Sequence, residues 1–196
     1  MKNLVIFASG NGSNAQNIIE YFNSTSSEES SAKVVRVICN RTNAYVLERA
    51  AKLGVPTSVI TKEDLSEGPQ GILEILEKDS TDLIILAGYL LKIPDELIAG
   101  YRGRIINIHP SLLPAYGGKG MYGNRVHEAV IAAKERVSGI TIHLVDENYD
   151  SGKILFQAEC PLLENDTPET LAERIHELEY THFPHIIEEY IKNNLQ

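Results

Sequence analysis

Residues 4–8 (Leu-Val-Ile-Phe-Ala) form an unbroken apolar run of strand length, the pattern of a strand buried on both faces of a parallel sheet. The run stops at Ser9-Gly10-Asn11-Gly12. From Asn14 onward Ala15, Ile18, Ile19 and Phe22 fall at i, i+3, i+4 and i+7, so the first unit reads strand, glycine turn, helix. A polar tract at 23–31 is a solvated connection, too short to divide domains. The cycle then recurs, with a strand at 34–39, a helix at 44–53 closed by Gly54, a β-prone stretch at 57–60, a helix at 72–78 and a strand at 82–87. Such alternation predicts parallel strands joined by right-handed helical crossovers. Beyond it the pattern predicts a fifth core strand at 104–108, a helix at 124–134, and two strands at 139–145 and 154–160 joined by a polar loop. A final helix starts at the N-cap Thr167, with Glu169 in its first turn and a kink expected at Pro184.

Composition narrows the class. A chain of 196 residues has the length of one domain, and 43% hydrophobic with 23% charged residues excludes intrinsic disorder. No run approaches the ~20 apolar residues that cross a bilayer, and the opening residues carry no cleavage-site pattern, so a cytoplasmic protein is expected. Cys39 and Cys160 stand outside any CxxC or Cys/His cluster, which predicts reduced, packed thiols and no zinc site. With 27 acidic against 18 basic residues the net charge is −9, which works against nucleic acid and anionic membranes as partners.

Two segments carry chemistry. Gly10-Asn11-Gly12-Ser13-Asn14 lies between the first strand and the first helix, where unpaired amides and the helix dipole favour an anion, most naturally a phosphate. The spacing also matches Gly-x-Gly-x-x-Ala, and Arg41 after the second strand keeps an NADP-dependent oxidoreductase open beside a plain tight turn or a non-catalytic nucleotide-binding module. The second segment is Asn107-Ile108-His109-Pro110. Period-two geometry puts Asn107 and His109 on one face at the carboxyl end of the fifth strand, where α/β sheets bind ligands. Asp150, before Ser151-Gly152, can face the same crevice and orient His109 or relay a proton. His143 fits either support of that site or packing, whereas His127, His176, His182 and His185 read as surface or structural.

Asn107, His109 and Asp150, the Ser111-Leu112-Leu113-Pro114 run and the Gly10–Asn14 loop together resemble the folate-dependent formyltransferase family over essentially the whole chain, and the glycine loop resembles its phosphoribosylglycinamide branch. The resemblance implies a single α/β domain, residues 1–196, with a Rossmann-like, mostly parallel sheet flanked by helices, a C-terminal antiparallel strand pair and a long final helix. It implies transfer of the formyl group of 10-formyltetrahydrofolate to the amine of glycinamide ribonucleotide in purine biosynthesis. A tetrahedral oxyanion forms on the way, with no covalent enzyme intermediate and no metal. In this reading Asn107, His109 and Asp150 are catalytic. Gly10, Asn11, Gly12, Ser13 and Asn14 hold the substrate phosphate, and Glu179 contacts the glycinamide substrate. Tyr89, Leu90, Leu91, Lys92 and Ile93, with Val145, Asp146 and Glu147, line the folate pocket. The expected partners are small molecules only, on a monomer or weak homodimer. Leu91 stands where many members carry arginine, and residues 115–125, rich in glycine, are expected to form a flap over the site.

Overall fold

The computed structural model describes residues 1–23, 30–66 and 68–195; most of the polar tract at 23–31 lies outside them. The first half alternates as the pattern predicts: β1 (Lys2–Ala8), α1 (Ser13–Asn23), β2 (Ala32–Cys39), α2 (Tyr45–Lys52), β3 (Thr57–Val59), α3 (Lys62–Ser66), α4 (Gln70–Lys78) and β4 (Leu83–Leu86). Then follow α5 (Asp95–Gly100), β5 (Ile105–His109), α6 (Asn124–Ala132), β6 (Val137–Leu144), β7 (Ile154–Pro161) and α7 (Pro168–Asn194). The strands form one sheet in the order β3-β2-β1-β4-β5-β6-β7. Pairing is parallel from β3 through β5 and antiparallel for β5–β6 and β6–β7.

The apolar run of β1 reflects cover on both faces. Leu4, Ile6 and Ala8 join one core with α1, α2, α6 and α7, and Val5 and Phe7 join a second with α4 and α5. The chain leaves β1 toward β2 and β3 on one side, then returns to β4 on the other. This reversal opens a crevice beyond the carboxyl ends of β1 and β4. Ser9 ties the two ends together: its amide donates to Gly88 O at 3.1 Å, and its Oγ accepts from the Leu90 amide at 2.9 Å.

α7 begins as expected. The Thr167 hydroxyl accepts from the Thr170 amide, the Thr170 hydroxyl accepts from the Thr167 amide, and Pro168 occupies the first turn. The helix runs on through Pro184. Proline cannot donate to the carbonyl four residues back, and that carbonyl, Tyr180 O, accepts instead from Asn17 Nδ2 of α1 at 3.0 Å. Both cysteines are buried and free. No helix among the described residues is long and apolar enough to cross a membrane. α3 and α5 have no counterpart in the sequence reading, because five or six residues complete too few turns to show an apolar stripe.

Candidate active site

The crevice is a cavity of about 920 Å³, and all the residues assigned above to catalysis, the phosphorylated substrate or the folate line it, from the glycine turn through Asn107, His109 and Asp150 to Glu179. At one end, α1 makes its first intrahelical bond from Gln16 N to Gly12 O. The amides of Ser13, Asn14 and Ala15 precede it, without backbone partners among the described residues, and are available to an anion. Gly12 has φ +78°, and a Cβ there would lie 2.3 Å from Val46 Cγ2. Glycine is therefore imposed at this position by backbone conformation and by packing of α2, not by room for a ligand. Gly10, by contrast, has open space about its Cα.

Within the turn, the Asn14 side chain is tied to α7: Nδ2 donates to Glu179 Oε2 at 2.7 Å. A cation that the sequence reading did not flag reaches the turn. Arg49 of α2 donates from Nε to Asn11 O at 3.0 Å and from Nη2 to Asn11 Oδ1 at 2.8 Å, and bonds Gln16 Oε1 as well. Its guanidinium also lies over the Tyr45 ring. Glu179 is buried, and burial raises its carboxyl above the ordinary value although Asn14 and His176 pull the other way.

At the other end the register of β5 on β6 sets Asn107 opposite His143. His143 Nδ1 lies 2.8 Å from Leu144 O, an atom that only accepts, so Nδ1 carries a proton, and Nε2 faces both Asn107 Nδ2 at 3.0 Å and Asp150 Oδ1 at 3.7 Å. His143 thus belongs to the site, settling the alternative the sequence left open. His109 Nε2 donates to Tyr116 O at 2.8 Å, and its Nδ1 faces Asp150 Oδ2 at 3.7 Å. Burial pushes the His109 imidazole below its usual value, opposed by the charge of Asp150. For Asp150, burial works upward, but His143, the charge on His109 and the Gly118 amide outweigh it and hold the carboxyl low.

Asp150 reaches this position by a sharp reversal at φ +52°, a region aspartate tolerates. Two glycines permit it. A Cβ on Gly152 would lie 1.9 Å from Leu144 O, and one on Gly117 would lie 3.3 Å from Asp150 Cβ. The glycine-rich segment at 115–125 therefore contributes backbone to the site: Tyr116 O receives His109, and Gly118 N donates to Asp150 Oδ2 at 2.8 Å. Ser111 is spent structurally, donating to Ala115 O at 2.7 Å.

The formyl transferase family model matches residues 2–187. The chain belongs to that family. It is 39% identical to phosphoribosylglycinamide formyltransferase of Bacillus subtilis (strain 168), covering 99% of this chain and 97% of the relative. The chloroplastic phosphoribosylglycinamide formyltransferase of Arabidopsis thaliana is 43% identical over 89% of this chain, and the match spans 60% of that longer protein. Glycinamide ribonucleotide transformylase 1 from Symbiobacterium toebii superposes with a TM-score of 0.89 at 31% identity, covering 98% of this chain and 88% of its own. Within this family fold, two of the histidines read as surface or structural also line the cavity. His176 does so from α7, and His127 does so while almost wholly buried in α6. No spacing signal marks either.

Proposed function

We propose that the protein transfers the formyl group of 10-formyltetrahydrofolate to the amine of glycinamide ribonucleotide, a step of purine biosynthesis. The observation that carries this reading is the convergence of Asn107, His109 and Asp150, from β5 and the β6–β7 loop, in a cavity that also opens onto the first-turn amides of α1.

The amides of Ser13, Asn14 and Ala15, braced by the cationic Arg49, hold the substrate phosphate, and Glu179 meets the body of the same substrate. Tyr89 to Ile93 and Val145 to Glu147 hold the folate. With the phosphate gripped, the amine attacks the formyl carbon and the carbonyl oxygen gains negative charge. Asn107 meets that charge with the Nδ2 hydrogen not committed to His143. His109 meets it with Nε2–H, which exchanges the Tyr116 carbonyl for the oxyanion. Asp150, held ionised, favours a second proton on Nδ1 of His109, which turns Nε2–H into a charge-assisted donor. The new C–N bond forms, the old C–N bond breaks, and the surplus amine proton passes by Asp150 to the departing nitrogen.

An absorbance assay of formyl-folate consumption, with mass spectrometry of the ribonucleotide, tests the reading. Consumption that requires glycinamide ribonucleotide and yields its formyl derivative is expected. Consumption independent of the amine would make the protein a hydrolase instead.

A further inference from the structure

Register places three polar side chains in a row across the sheet. His109 of β5 pairs with Thr141 of β6, and Thr141 pairs with Gln157 of β7, so all three stand on one face. Residues 111–116 fold back over this row, and each side chain takes a backbone group of that segment. Thr141 Oγ1 donates to Ser111 O at 2.7 Å and accepts from Leu113 N at 2.9 Å. Gln157 Nε2 donates to Leu113 O at 3.0 Å and to Thr141 Oγ1 at 2.9 Å. His109 Nε2 donates to Tyr116 O. The Thr141 hydroxyl, wholly buried, therefore uses its hydrogen and both lone pairs, two of the three on the segment. Neither Thr141 nor Gln157 lines the cavity.

What the segment delivers to the site is Tyr116 O. Tyr116 sits at φ +56°, a conformation costly for a bulky side chain and kept only where the surroundings fix it. Its carbonyl competes for the proton of His109. A neutral imidazole carries one proton: the Asp150 carboxylate, 3.7 Å away, draws it to Nδ1, and Tyr116 O, 2.8 Å away, draws it to Nε2. A displaced carbonyl loses that contest, because a hydrogen bond weakens steeply with distance and angle, and Nε2 is then left bare toward the oxyanion.

We propose that Thr141 and Gln157 are positioning residues for the transfer: by pinning residues 111–116 to the sheet they hold Tyr116 O against His109 and keep the imidazole proton on Nε2. This rests on the role given to His109 above and adds what fixes its tautomer.

The test combines rates with histidine-ring NMR, in which nitrogen-15 shifts report the protonated nitrogen and the His109 signals are those lost in His109→Ala. Wild type is expected to show the Nε2–H tautomer, and Thr141→Val, which keeps the shape without the hydroxyl, to shift toward Nδ1–H. Its kcat should fall about tenfold with KM for each substrate within about twofold, and Thr141→Ser should recover most of the loss. Gln157→Met should move tautomer and kcat the same way by less. An unchanged tautomer in Thr141→Val overturns the proposal, as does a loss of kcat that Thr141→Ser does not recover. So does a lower urea midpoint with kcat unaltered, which marks residues that only stabilise the fold. Should Thr141→Val not fold, Gln157→Met, on the exposed edge strand, decides by the same readouts. Absence of transfer by the wild type would defeat the broader functional reading instead, and the ring spectra alone would then decide this one.

Discussion

The proton on Nε2 of His109 is fixed by its partner, because Tyr116 O can only accept, so the second proton has one place to go: Nδ1, beside Asp150 at 3.7 Å. Asp150→Asn leaves an oxygen for the Gly118 amide but removes the charge that favours the imidazolium. Turnover should fall about a hundredfold or more with the urea midpoint nearly unchanged. Steady-state kinetics and denaturation on the same preparation check both halves. A different histidine yields a stability prediction. His127 falls from 6.5 to about 4 on folding, so between those values the unfolded chain binds the proton and the folded chain does not. Stability is therefore lost as pH falls through this window, by ~2 kcal/mol between pH 7 and pH 5 from this group. Urea titrations at both pH values should show His127→Asn losing less than wild type by that amount; equal losses would contradict the assignment of a neutral buried ring.

At the scale of elements, the turn between β1 and α1 separates packing from binding. Gly12→Ala places a Cβ against Val46 at φ +78° and should cost about 1–3 kcal/mol in urea unfolding, whatever its effect on ligands. Arg49→Met should keep the fold and raise KM for the phosphorylated substrate severalfold with kcat little changed, since it removes the guanidinium that braces Asn11 and Gln16. Equal KM in that variant would leave Arg49 a packing residue. β1, α1 and β5 were legible from sequence because burial on two faces leaves an unbroken apolar run and burial on one leaves a helical stripe. Asn107 and His109 were legible because polar residues alternate with Ile108 where a core strand ends. Arg49 was not, since a side chain reaching across from a neighbouring crossover leaves no trace in periodicity. His127 was not, since at its position in α6 a histidine falls in step with the valines of the core face.

For the whole molecule, topology does the positioning. Reversal of the chain between β3 and β4 opens the cavity at the sheet's carboxyl edge, and the antiparallel return of β6 on β5 brings His143 against Asn107 and the loop of Asp150 over His109. α7, spanning Pro168–Asn194, closes the remaining wall. It is tied to α1 by Asn14 to Glu179 and Asn17 to Tyr180, which hold the glycine turn beside the buried carboxylate. The net charge of −9 is legible in the sequence, but its distribution is not: Arg41, Arg49, Lys92, Lys119 and Arg125 line the cavity together with Asp146, Glu147, Asp150 and Glu179. The central claim is that Asn107 and His109 stabilise charge on the formyl oxygen during transfer. A rapid-quench single-turnover measurement of labelled formyl passing to glycinamide ribonucleotide tests it most directly. The account predicts that His109→Ala and Asn107→Ala each slow that step about a hundredfold or more while unfolding at the wild-type urea midpoint. A near-wild-type rate in either variant would contradict it.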